Sequence, residues 1–219
     1  MLTRLLVAIN VIVYLFERFV WGLDPNALAA HGGLVGADVQ LHGAWYEIFT
    51  SAFLHGSDMH LIFNMIALFQ VGTFVELIYG TLRMAIIYFL AALGGGVAVT
   101  YFTPDVVTIG ASGAIFGLFG ALAIAGLRLG ARGRSIMQQT TGIIVINLAI
   151  SFFPGSNISI ADHVGGLIVG TLCGLVLFRI PRAPAAVAVE GEGPGYAQRI
   201  GPDPGVTTIE HPPIEHPPA

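Results

Sequence analysis

The stretch Gly110-Ala-Ser112-Gly113-Ala-Ile-Phe116-Gly117-Leu-Phe-Gly120-Ala-Leu-Ala-Ile-Ala-Gly-Leu-Arg128 reads as a membrane helix, yet from Ser112 onward it is too short to cross. Sixteen residues rise about 24 Å, whereas the hydrocarbon core of a bilayer is about 30 Å thick. With Arg128 at one face, the helix begins below the opposite face, with a serine at its sunken start. A hydroxyl in that position is either a helix cap or a nucleophile in a hole.

Composition limits the choices. Of 219 residues, 55% are hydrophobic and only 10% charged, against about 25% charged in a soluble domain. The chain is therefore expected to be an integral membrane protein. Its net charge of −4 argues against nucleic acid, which calls for a basic face. A single cysteine, Cys173, permits no internal disulfide.

Apolar runs bounded by charges and turn residues give six crossings, at residues 2–22, 60–78, 82–103, 112–127, 140–153 and 161–178. The expected fold is an all-α polytopic bundle of six transmembrane helices with a short, recessed fourth helix. The first run is long and lacks a small-residue cleavage site after it, so it is not expected to be a cleaved signal peptide. Arg4, Arg83, Arg128, Arg132, Arg134, Arg179 and Arg182 fall on one side of this arrangement. The positive-inside rule assigns that side, and both termini, to the cytoplasm, most naturally of a plasma (inner) membrane. Residues 1–180 form the membrane domain. Residues 181–219 hold nine of the twelve prolines and no apolar periodicity, and are expected to be a disordered cytoplasmic tail.

Polar groups inside a bilayer are costly, so those that remain are the suspects for function. Ser112 lies sixteen residues above Arg128, His163 sixteen above Arg179, and His60 sixteen above Glu76. Three spans running in one direction thus carry a polar side chain at one depth, with Asn64 one turn below His60. Gly166, Gly170 and Gly174 repeat every four residues on the sixth span, and Gly113, Gly117 and Gly120 line the fourth. Such ridges let membrane helices pack nearly backbone to backbone. Alone they would be read as tightening a bundle; if these two meet, Ser112 and His163 come within hydrogen-bond reach. A serine hydroxyl becomes a nucleophile when a neutral imidazole accepts its proton, and the attacked carbonyl needs fixed donors for its oxyanion. Free N–H groups at the start of the fourth helix, around Gly113, together with His60 and Asn64 are candidates for that role. His60 and Asn64 as interhelical hydrogen-bond partners, and Ser112 as a plain cap, are the competing structural readings.

Three motifs, Gly110-Ala-Ser112-Gly113, His60-Leu-Ile-Phe-Asn64 and His163-Val-Gly-Gly166-Leu-Ile-Val-Gly170, resemble those of the rhomboid family of intramembrane serine proteases. The resemblance covers residues 2–178. It implies a Ser112–His163 dyad without a third acidic member, oxyanion support from His60 and Asn64, and Phe116 packed on the catalytic imidazole. It implies His55 as a structural loop histidine, and single-pass membrane proteins cleaved near their outer boundary as substrates. No cofactor and no metal is called for, since His-Glu-x-x-His is absent. Two positions depart from the pattern. Trp45-Tyr46-Glu47 stands where many members have Trp-Arg, which bears on the ties of the first outer loop. Asp162 precedes His163, and as a neighbour pointing about 100° away it is expected to face the outer aqueous side rather than the imidazole. Glu17 and Arg18, near the outer end of the first span, are expected to snorkel. A non-proteolytic relative that binds membrane helices is the alternative function, and a small channel ranks last because no inverted repeat is visible.

Overall fold

Capping decides where several of the helices begin. The computed structural model describes residues 1–151 and 158–179, and among them all regular structure is helical apart from one isolated bridge. Helix α1 (Leu2–Phe16) continues into a π-helical turn, Glu17–Trp21. Asp24 then caps α2 (Pro25–Ala30), accepting from the Asn26 and Ala27 amides, with proline at the first position. Helix α3 (Gly36–His42) stops at Gly43, whose φ of +68° suits glycine. A short α4 (Glu47–Thr50) runs into a 3-10 turn, Ser51–Phe53. Ser57 caps α5 (Asp58–Tyr79) through the His60 amide, and α6 (Thr81–Phe102) follows directly after Gly80. Then come α7 (Ser112–Arg128), α8 (Arg134–Ser151) and α9 (Ile160–Leu177), the last capped by Ser159.

Helices α5, α6 and α9 are long and apolar enough to cross a membrane, and α7 is a shorter apolar helix. Large apolar side chains such as Phe19, Leu77, Phe102 and Val176 point outward, each more than three-quarters exposed, which suits lipid rather than water as surroundings. Helix α8 starts at Arg134, six residues before the expected crossing. The three short helices between α1 and α5 had no periodic signal long enough to be read. The expected tail at 181–219 lies outside the described residues.

Helix α9 packs against α7 and α6. A side-chain carbon on Gly166 would lie 2.7 Å from the Gly113 carbonyl carbon, and one on Gly174 would lie 2.8 Å from the Ala121 Cα. One on Gly170 would collide with the Gly117 backbone. Gly166 and Gly170 therefore meet Gly113 and Gly117 with no side chain between them, whereas Gly174 meets Ala121 and Gly120 faces the Thr171 hydroxyl. At the Arg128 end, the Tyr79 hydroxyl of α5 donates to the Ala121 carbonyl oxygen of α7 at 2.8 Å. The Glu76 carboxylate of α5 accepts from the Leu2 and Thr3 amides (2.7 and 3.0 Å) and from the Thr3 and Thr81 hydroxyls (2.8 and 2.9 Å). A carboxylate on one helix thus occupies the N-terminus of another, where free N–H groups and the helix dipole favour negative charge.

At the opposite end, Glu17 does not snorkel. It is fully buried and accepts the His55 amide at 3.1 Å, whereas Arg18 pairs with Asp58 at 3.7 Å. The same Asp58 takes the Tyr14 hydroxyl at 2.6 Å, which ties α1 to the start of α5. Glu47, in the segment that departs from Trp-Arg, is buried and accepts the Val35 amide at 3.0 Å. Burial pushes its carboxyl up, and the Val35 N–H partly offsets this. A different residue pair therefore supplies the loop with its internal tie.

Candidate functional site

The segment leading into α7 is held on two sides. Leu34 and Thr108 exchange backbone hydrogen bonds of 3.0 and 2.9 Å, and the Gly110 amide donates to the Ser51 carbonyl oxygen at 2.9 Å. Gly110 has φ +119°, open to glycine at little cost. A side-chain carbon there would lie 2.7 Å from His60 Nε2 and 3.8 Å from Ser112 Oγ. Glycine at 110 is what lets the imidazole and the hydroxyl share one recess.

Ser112 is the first residue of α7 and is half-buried. His163 is buried in the first turn of α9, with its ring stacked on Phe116 at 4.0 Å and 19°. Its Nδ1 lies 3.2 Å from the Ser151 hydroxyl at the end of α8. That hydroxyl directs its own proton to the Asn147 carbonyl oxygen at 2.9 Å, so the contact with the ring is served by Nδ1–H. The assignment leaves the lone pair on Nε2. Ser151 was missed in the sequence because it sits on a different helix and belongs to no motif.

Asp162 is where the structure corrects the sequence. Rather than facing water it is buried, and its Oδ2 accepts the Ser112 hydroxyl at 3.1 Å. The Gly113 N–H lies against the same carboxylate. A side-chain carbon on either Gly95 of α6 or Gly113 of α7 would strike the carboxylate. The slot thus exists because both neighbours lack a side chain. The direction of Asp162 on its own helix does not reveal this slot; the signal lies in the missing side chains on two other helices. Among the described residues, Ser112 donates to Asp162 and not to His163.

Asn64 is buried one turn below His60 and donates one amide hydrogen to the His60 carbonyl oxygen at 3.0 Å, leaving a second for another acceptor. His55 is fully buried and its ring lies 5.1 Å from that of His60. Burial, with His60 as a lesser cause, pushes the His55 imidazole down to about 3. A small cavity of about 10 Å³ is lined by Ser51, Gly96, Thr108, Gly110, Gly113 and Asp162, among others, room for roughly one water. A half-buried hydroxyl, a buried imidazole, the start of a helix and two polar α5 side chains are groups that acyl transfer can use.

Comparison with known proteins identifies the family. The family model described as Rhomboid domain matches residues 42–180. Rhomboid protease GluP of Bacillus subtilis (strain 168) is 35% identical over 189 residues, covering 84% of this chain and 36% of that protein. Rhomboid protease AarA of Providencia stuartii is 28% identical over 207 residues, covering 82% of this chain and 73% of that one. RHOMBOID-like protein 1 of Arabidopsis thaliana is 31% identical over 166 residues, 73% of this chain and 42% of that one. The chain spans between roughly a third and a half of the length of several curated relatives it matches.

Proposed function

Because the chain belongs to the rhomboid family, a family of polytopic membrane proteins, we propose that it is an intramembrane serine endopeptidase. It hydrolyses a peptide bond in or beside the transmembrane segment of single-pass proteins. The observation that carries this reading is the backbone-to-backbone contact of α7 and α9, which brings Ser112 to the start of α9, onto Asp162, the residue before His163. Six helices form the bundle, with α7 recessed at the Ser112 end, and both termini face the cytoplasm on the arginine-rich side.

In the first step, the Ser112 proton passes to His163 Nε2 while Oγ bonds to the scissile carbonyl carbon. The carbonyl oxygen becomes an oxyanion beside the α7 N-terminal amides, His60 and the second amide hydrogen of Asn64. As the intermediate collapses, the C–N bond breaks and His163 returns its proton to the departing amine. Water then repeats the sequence on the acyl-serine, giving a carboxylic acid and free Ser112. Phe116 supports the imidazole face throughout, and Ser151 keeps Nδ1 protonated.

The test is cleavage of a labelled single-span substrate in proteoliposomes. Ser112→Ala and His163→Ala are each expected to lower kcat by at least about 10⁴-fold while the protein stays inserted. Undiminished turnover by Ser112→Ala would end the proposal. A chain that binds the span but never cuts it would be the non-proteolytic relative.

A further inference from the structure

A hydroxyl has one proton to donate, and in this structure the Ser112 proton goes to Asp162. We propose that Asp162 is a positioning residue that holds the nucleophile in a resting rotamer, so that Ser112 must turn off the carboxylate before His163 takes its proton. The proposal rests on the reading of Ser112 as nucleophile and adds a built-in brake to it.

Three observations carry the assignment. The carboxylate is buried and its contact with Ser112 Oγ is direct, at 3.1 Å. Its seat is shaped, because Gly95 and Gly113 both leave out the side chain that would fill it. It also sits against the Gly113 backbone, at the start of the helix whose amides would receive the oxyanion. A fixed negative group there opposes the charge that develops in the transition state and occupies a donor the oxyanion would use. Both effects act in one direction. The carboxylate stabilises the resting site at the expense of the reacting one.

Asp162→Asn distinguishes this role from simple packing. The amide keeps the shape, accepts from Gly113 through its oxygen and donates from its nitrogen to Ser112 Oγ. The serine proton is then free for His163. The expected result in proteoliposomes is a kcat about tenfold higher, the scale of one hydrogen bond to a charged group, with KM unchanged. Labelling of Ser112 by a fluorophosphonate should accelerate by the same factor. A purely structural Asp162 would instead give a lower melting temperature with equal or slower turnover, and that outcome overturns the proposal.

A second measurement uses the unaltered chain, in case the variant fails to fold. In a structure of the fluorophosphonate adduct, Ser112 Oγ should lie beyond hydrogen-bond distance from Asp162, with the carboxylate still in its slot. An adduct that keeps Oγ within 3.5 Å of Asp162 Oδ2 would contradict the brake. Failure of the unaltered protein to form any adduct at Ser112 would instead count against the nucleophile itself.

Discussion

A neutral imidazole can serve as base through Nε2 only when Nδ1 holds the proton, and Ser151, whose hydroxyl donates to the Asn147 carbonyl oxygen, is placed to accept from that Nδ1–H. Such a contact does for the ring what a carboxylate does in a three-membered triad, with a neutral hydroxyl in place of the acid. Losing one neutral hydrogen bond has a modest effect, so Ser151→Ala is expected to lower kcat by roughly three- to tenfold. Steady-state kinetics in proteoliposomes would show it, with KM little changed. A loss as large as that of His163→Ala would mean that Ser151 does more than orient the ring. At this scale the sequence was informative about depth and poor on direction. Equal spacing from the arginines and Glu76 picked out Ser112, His163 and His60. It could not show Asp162 turning inward, because the slot it fills is made by glycines on α6 and α7.

Between elements, close approach is the governing feature. Gly166 and Gly170 meet Gly113 and Gly117 across α7 and α9 without intervening side chains, and Gly174 packs on Ala121, so an added carbon at Gly166 or Gly170 must push the helices apart. Gly170→Ala is expected to destabilise the protein by about 1–3 kcal/mol, the range for overpacking, and to slow labelling of Ser112. Gly142→Ala on α8, where an added carbon meets nothing within 4 Å, serves as the control and should leave labelling unchanged. Thermal unfolding in detergent alongside labelling rates would separate the two. The four-residue glycine repeat made this contact legible, whereas α2, α3 and α4 were too short to declare themselves. Glu47 was equally hidden, since its tie to Val35 reaches back twelve positions across α3.

The loop that precedes α5 also carries a pH dependence. His55 is held neutral in the folded state, with its pKa pushed down to about 3 against an ordinary 6.5. Between those values the unfolded chain binds more protons, so stability is full above about pH 6.5 and falls as the pH is lowered toward 3. The slope contributed by one such group is at most about 1.4 kcal/mol per pH unit. Unfolding of the unaltered chain and of His55→Asn, measured across that window, should differ in slope, with the variant flatter. Equal slopes would remove His55 from the account.

For the whole molecule, lipid-facing side chains and helix lengths together explain why composition alone announced a membrane protein. The expected crossings agree with the helix bounds within a few residues for α5, α6, α7 and α9. They miss the start of α8, because Arg134 and the polar run after it do not read as apolar. The capping of α1 by Glu76 lay beyond reach too, as it joins residues more than seventy positions apart. These distant ties hold the end opposite Ser112, leaving the recess to be shaped by the glycine contacts and the pinned segment before α7. The central claim is that this recess activates one hydroxyl. Mass-spectrometric mapping of a fluorophosphonate adduct on the reconstituted full chain tests it most directly. Modification is expected at Ser112 alone, lost in His163→Ala; a label on another residue, or equal labelling without His163, would overturn the assignment.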